Sequence, residues 1–419
     1  MGSRVFAVIV GIDTYKSGDI WNLESCSNDA NQMRKWLMND LSVPKHQIAL
    51  LLNEKATKQN IEHTLNTHLL HNNQIQEGDG ILIYFAGHGS SLKAPHESRP
   101  FEVLCPWDHD TKGPEGRVAG ISARALSKFL TDLSKSKGNN ITLMLDSCFT
   151  SPPPRSRDRS SIRWTSTNKA VVDDLYHGQL ACPKPQKRNE GFCSRNWTTH
   201  TVVTACKPGA TATEGKEGGR FTSSFLEVMR STPLHSTSFT TLMEKINLKM
   251  GESQSPHYSG LVNDRLFNAI PFIEDLRYIP VQFHSEKGIR IELGSLHGIE
   301  KGAELSLHPH NYVGSCNPAI ATVTIHDVHP TWCAGRPKTS FFPRRCWARV
   351  PLHNHGLSYA RLKKAVQAFL HSTVAHKSSF SSRPVSRSVS ISDFKGTTGK
   401  SELIETADAS KTLLVPFLK

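Results

Sequence analysis

An α/β fold, with a central mostly parallel sheet flanked by helices, is predicted for residues 1–272. Three observations predict it. Apolar runs of strand length recur with little polar alternation, as strands buried on both faces require. Segments with apolar residues at helical spacing fall between them, the order that parallel strands and crossover helices impose. Two of the runs, Ile81-Leu82-Ile83-Tyr84-Phe85-Ala86 and Ile141-Thr142-Leu143-Met144-Leu145-Asp146, break off into small and polar residues. In open parallel sheets the loops at the carboxyl ends of the strands carry ligands.

The elements follow in order. Val5 to Val10 reads as a buried first strand, closed by Gly11-Ile12-Asp13. Ala30, Met33, Leu37 and Leu41 give helical spacing, with Asn28 and Asp29 as caps. Gln47 to Leu52 is a short strand, and Thr57 caps a helix with Ile61, Leu65 and Leu69 on one face. Glu77 to Gly80 turns into the strand that delivers His88. A polar loop from Ser90 to Pro100 leads to a strand from Phe101. Ser122 starts a helix through Leu126, Phe129, Leu130 and Leu133, and the next strand delivers Cys148. Residues 151–198, with Pro152-Pro153-Pro154 and many basic side chains, read as an exposed linker. Regular structure resumes with a strand from Thr199 to Ala205, then helices through Phe225 to Met229 and from Phe239 to Met250. Residues 273–350 hold short β-type runs between Gly and Pro turns, a small β-rich appendage. Residues 351–419 read as one helix, Leu357 to Leu370, and a disordered Ser- and Arg-rich tail.

Composition narrows the function classes. The apolar fraction of 37% supports a sizeable core. Nine cysteines without framework spacing suit reduced thiols in an intracellular compartment, the cytosol or cytosol and nucleus, and no Cys-x-x-Cys zinc spacing occurs. The first residues fit neither a signal peptide nor a membrane span. GxGxxG and P-loop patterns are absent. Much of the +13 net charge comes from Val328 to Ser392, with eleven Lys and Arg and no Asp or Glu. Without an aromatic-basic module this reads as a solvated tail, and specific nucleic-acid binding is not expected.

His88 and Cys148 leave the same sheet edge. Taken singly, each is more often a buried packing residue. Together, a thiol beside an imidazole can attack a carbonyl carbon. Gly87-His88-Gly89 and Asp146-Ser147-Cys148 resemble the His-Gly and Asp-x-Cys boxes of the caspase-like cysteine peptidases, metacaspases included. Gly11-Ile12-Asp13, Cys26-Ser27-Asn28-Asp29-Ala30 and Thr204-Ala205-Cys206 extend the resemblance over about two thirds of the chain. It implies a cysteine endopeptidase with a His88–Cys148 dyad acting on proteins or peptides. The amides of Gly89 and Cys148 are candidates for the oxyanion hole. By the same resemblance Cys26, Asp29 and Asp146 line the pocket for the residue before the cut. Two carboxylates there favour Arg or Lys.

The resemblance also implies a junction between large and small parts in the linker, open to self-processing at Arg155, Arg157, Arg159, Arg163, Lys187 or Arg188. Many metacaspases bind calcium. Here Asp108 is in place, but Ile121-Ser122-Ala123-Arg124 lacks the accompanying carboxylates, and Asp110 and Asp158 are the alternatives. The sequence requires no cofactor. Around the nucleophile, Phe149-Thr150-Ser151 stands for the usual His-Ser-Gly, and Ala86 for the usual Ser before the histidine. These departures leave open a caspase-fold scaffold acting by partner binding.

Overall fold

The computed structural model describes residues 3–93, 99–150, 161–180, 191–193, 197–215, 217–251, 254–261, 264–284, 288–338 and 345–350. The chain divides into two compact units, Met1–Leu352 and His353–Lys419. The second, with the expected C-terminal helix and tail, lies outside the described residues.

The apolar runs become a six-stranded sheet. Its strands are β1 (Val5–Gly11), β2 (Ile48–Leu52), β3 (Gly80–Ala86), β7 (Ile141–Asp146), β8 (Thr201–Thr204) and β11 (His257–Gly260), in the order β11-β8-β7-β3-β1-β2. All neighbours are parallel except β11 against β8. Helices cover both faces. Phe6, Val8 and Val10 of β1 pack with α2 (Lys58–Thr64) and α3 (Ala123–Lys137). Val5, Ala7 and Ile9 pack with α1 (Cys26–Lys35), α4 (Arg220–Ser231) and α5 (Phe239–Met250). Both faces of β1 are apolar because both are buried, hence the uninterrupted run in the sequence.

Several ends are set by side chains. Thr57 accepts a hydrogen bond from Asn60 N–H at the start of α2, and Ser122 from Ala125 N–H at the start of α3. At α1 the expected caps Asn28 and Asp29 do not serve. Helix α1 begins at Cys26, and the Asp13 carboxylate accepts from the Cys26 and Ser27 amides. A carboxylate there also suits the positive end of the helix. Asp29 is thereby free to turn inward.

The expected polar loop after His88 is partly strand. β4 (Gly89–Leu92), β5 (Phe101–Leu104) and β6 (Ile121–Ser122) form an antiparallel side sheet. A two-stranded hairpin, β9 (Glu214–Gly215) with β10 (Gly218–Gly219), leads into α4. Leu266–Ala269 is a 3-10 turn.

The β-rich region is a closed barrel in the order β12-β13-β16-β15-β14-β17, formed by Tyr278–His284, Gly288–Ile291, Cys333–Pro337, Ala321–Val328, Glu304–His308 and Trp347–Arg349. Ile289, Ile291, Leu305, Leu307, Val323 and Ile325 fill it. Closure satisfies the edges that an open sheet of this size would expose. Among the described residues, no helix is long and apolar enough to cross a membrane.

Candidate active site

The register of the sheet sets the site. Ala86, the last residue of β3, pairs with Asp146, the last of β7. His88 and Cys148 therefore emerge side by side from adjacent strand ends. His88 is buried, with its backbone N–H donating to Tyr15 Oη at 2.7 Å and its ring against the Tyr15 ring. Its Nε2 hydrogen-bonds to the Trp21 carbonyl at 2.8 Å. That carbonyl can only accept, so it fixes the proton on Nε2 and leaves Nδ1 to give or take another. Nδ1 is buried without a protein partner. Burial holds the imidazole down to about 4, although the Trp21 bond works the other way. The Cys148 thiol donates to the Thr150 and Ala210 carbonyls at 3.3 and 3.1 Å. A hydrogen bond from Cys206 brings the Cys148 thiol down to about 7, against the opposing effect of burial.

The linker itself fills the cleft. It was expected to be exposed, yet Arg163 is completely buried and Ile162 and Thr165 nearly so. The segment pairs with its neighbours through isolated bridges, Ile162 against Thr213 and Trp164 against Gly89. Arg163 N–H donates to the Ala212 carbonyl and Glu214 N–H to the Ser161 carbonyl, while Thr165 N–H donates to the Gly89 carbonyl. The Arg163 carbonyl accepts from both Gly89 N–H and Cys148 N–H, each at 3.0 Å. These are the two amides expected to face a developing oxyanion. A Cβ on Gly89 would lie 2.3 Å from the Cys148 carbonyl oxygen, so this approach requires glycine.

The Arg163 guanidinium lies among three carboxylates, with Nη2 2.5 Å from Asp29, Nη1 2.8 Å from Asp146 and Nη2 3.0 Å from Glu214. Ser25 Oγ accepts a further bond at 3.1 Å. The carboxylates are themselves held: Gly219 N–H donates to Asp29, Thr222 Oγ to Asp146, and Ser25 Oγ and Glu24 N–H to Glu214. Cys26 Sγ lies 3.6 Å from Glu214. Gly219 forms a wall, since a Cβ there would meet Arg163 and Asp146 at 2.7 Å. Burial pushes Asp29 up to about 6, opposed by Arg163 and reinforced by Asp146.

Beyond Trp164 the linker is caught by carboxylates that accept its backbone amides. Asp110 takes N–H groups from Asn168, Lys169 and Ala170. Asp174, within the linker, accepts from Val171 and Arg117. Glu62 accepts from Gln179 and Glu102 from Phe192.

Residues 4–267 match the family model described as the caspase domain of peptidase C14. The chain belongs to that family. The fold described above is thus caspase-like, and the family is one of cysteine peptidases acting on proteins. Metacaspase-3 of Arabidopsis thaliana is 32% identical over 116 residues, covering 26% of this chain and 31% of that protein. Metacaspase-2 of the same plant is 34% identical over 116 residues, covering 26% and 27%. The matched segment thus spans about a third or less of each relative. A solved structure from Geobacter sulfurreducens aligns over 63% of this chain and 98% of its own at 15% identity, with a TM-score of 0.47. Caspase-1 of Spodoptera frugiperda aligns over 62% and 88% at 12% identity, with a TM-score of 0.37.

Of the residues singled out in the sequence of this caspase-domain chain, His88, Gly89, Cys148, Cys26, Asp29, Asp146 and Arg163 converge on one cleft. Arg155, Arg157, Arg159, Lys187 and Arg188 lie outside the described residues, as does Asp158. Glu214 was missed as a pocket residue. Its signal was only a carboxylate soon after the β8 strand. The Trp21 carbonyl leaves no sequence signal at all. Asp108 spends a carboxylate oxygen on Lys58 N–H, and Asp110 spends both of its own on the linker. Among the described residues, no group of three or more His, Cys, Asp or Glu could hold a metal ion.

Proposed function

We propose that the chain is a cysteine endopeptidase that cuts after arginine, and that its first substrate is its own Arg163–Trp164 bond. One observation carries this reading. Arg163 lies in the cleft as a substrate would, its carbonyl on the Gly89 and Cys148 amides and its guanidinium among Asp29, Asp146 and Glu214. A planar fork reaches three carboxylates at once, which a lysine ammonium matches less well.

The chemistry follows from this placement. Cys148 Sγ gives its proton to His88 Nδ1, turns from the Thr150 and Ala210 carbonyls, and attacks the Arg163 carbonyl carbon. Negative charge developing on the oxygen is held by two amides already in place. His88 Nδ1 gives a proton to the Trp164 nitrogen as the C–N bond breaks. Water then hydrolyses the thioester, with Nδ1 accepting its proton. Until Arg163 leaves, no other arginine can enter, so the described arrangement is a latent one.

The test is mass spectrometry of freshly expressed wild type, Cys148→Ala and Arg163→Gln. Fragments ending at Arg163 are expected in wild type alone. The same fragments in Cys148→Ala would mean that another protease makes the cut. Fluorogenic peptides supply the second arm, with Arg turned over faster than Lys and Asp ignored. Preference for Asp would overturn the pocket assignment.

A further inference from the structure

Cys206 lies beside the candidate nucleophile and takes part in none of the bond changes above. It follows β8 as Cys148 follows β7, and the two strands are parallel neighbours with Leu145 opposite Thr204. Both thiols converge on one acceptor: Cys148 Sγ reaches the Ala210 carbonyl at 3.1 Å and Cys206 Sγ at 3.3 Å. Cys206 also approaches the Ser147 carbonyl at 3.9 Å. Both are free thiols, with Cys193 the next nearby.

We propose that Cys148 and Cys206 form a reversible disulfide when the protein meets a peroxide, and that Cys206 is the resolving thiol. The proposal deepens the peptidase reading, because the bond would take the nucleophile out of use. In the first step the Cys148 thiolate attacks hydrogen peroxide. An S–O bond forms, the O–O bond breaks, and hydroxide leaves as water with a proton from the medium. Cys148 is now a sulfenic acid. In the second step Cys206 loses its proton and attacks Cys148 Sγ. The S–S bond forms, the S–O bond breaks, and a second water leaves. Two thiols and one peroxide become one disulfide and two waters.

The pair is arranged for this order of events. Cys148 is the more acidic thiol, and the thiolate is the reactive form. Cys206 is pushed far up, first by its hydrogen bond with Cys148, then by burial and the Cys148 charge. Oxidation of Cys148 removes the first and third of these effects, so Cys206 becomes easier to ionise once there is a sulfenic acid to attack. The Ala210 carbonyl, accepting from both, holds the sulfurs in one place.

The experiment uses the full-length protein, reduced, freed of reductant and exposed to hydrogen peroxide. Remaining thiols are alkylated and the digest is mapped without reduction. The expected product is one cross-linked species joining the Cys148 and Cys206 peptides, lighter by two hydrogens than its parts and reopened by dithiothreitol. In Cys206→Ser, Cys148 should instead advance to a sulfinic acid that dithiothreitol does not reverse. Wild-type mapping decides even if that variant fails to fold. Sulfinic acid at Cys148 with Cys206 still alkylatable would overturn the proposal, as would a Cys193–Cys206 bond instead. Because the readout is mass, the outcomes separate. A cross-link in a protein that never cleaves peptides would leave the disulfide standing and remove the peptidase reading. An active enzyme whose thiols do not pair would do the reverse.

Discussion

Replacing Arg163 with Met should open the cleft without any cut. Methionine keeps an unbranched apolar stem but removes the charge. While the linker stays docked, Asp29, Asp146 and Glu214 would then face one another, buried, with no cation between them. Removing one partner of a buried ion pair costs about 3–5 kcal/mol. Protonation of Asp29, already pushed up to about 6, relieves part of that. The penalty vanishes once the linker lifts and water reaches the carboxylates, so the whole cost falls on the docked state. A loss of 3–5 kcal/mol shifts the docking equilibrium roughly 10²–10³-fold or more. The backbone bonds to Ala212, Glu214 and Gly89 remain but lack their anchor. The assay is turnover of an arginine peptide from time zero, with a denaturing gel in parallel. Wild type should show a lag that ends as the fragment at Arg163 appears. Arg163→Met should act at once as an intact chain. An uncut, folded variant that stays inactive, with its linker still protected from limited proteolysis, would refute the view that the arginine side chain keeps the cleft closed.

Further expectations concern the same site and its support. Glu214→Gln should lower kcat/KM for arginine peptides by ~10–100-fold, about 1.5–3 kcal/mol for a hydrogen bond to a charged group, mostly through KM in steady-state assays. Gly89→Ala should abolish turnover and lower Tm, since the new methyl would meet the Cys148 carbonyl at 2.3 Å; an active variant would show that the strand has room to shift. Acid should destabilise the fold. Burial holds His88, His109 and His200 each down to about 4, so between their ordinary value near ~6.5 and pH 4 the unfolded chain binds protons that the folded chain refuses. Stability is therefore lost as pH falls through that window. Asp29, raised to about 6, opposes this between its ordinary value and pH 6. Glu62 and Glu102, also raised by burial, oppose it too, while His235, held down to about 4, adds to it; melting curves from pH 7 to 5, where the histidines dominate, would read the net loss. A flat profile would contradict the buried neutral imidazoles.

The parts of the fold that could be read in the sequence were those where burial acts on every residue of a run. β1, β3 and β7 are covered on both faces, so each reads as unbroken apolar text, and their ends point to His88 and Cys148. The pocket was half legible. Asp29 and Asp146 sit in the boxes that carry the resemblance, but Glu214 joins them only because the hairpin before α4 folds back over α1. Nothing local distinguishes Arg163 from the other basic residues of the linker; its selection depends on the path of the chain, with Ile162 and Thr165 buried on either side. In the sequence Asp13 reads as a turn residue; it is also the cap of α1, a role that appears only when the turn meets the helix. In the barrel, short β-type runs between Gly and Pro turns are visible in the sequence. Pro280, Gly335 and Pro337 masked two more strands, because such residues weaken a strand pattern that closure can still accommodate.

The Arg163–Trp164 bond lies in the chain segment between β7 and β8, and these two strands are neighbours in the middle of one sheet. Cutting it divides the polypeptide but not the particle. The downstream piece keeps its ladder to Met144 and Leu145, and Asp110 still grips the amides that follow the new terminus. The nicked molecule should elute from a sizing column where the intact one does and part only in denaturant. Separated pieces would bear four and two of the six strands, each with a raw edge, so such a cut, once made, should be hard to reverse by unfolding and refolding.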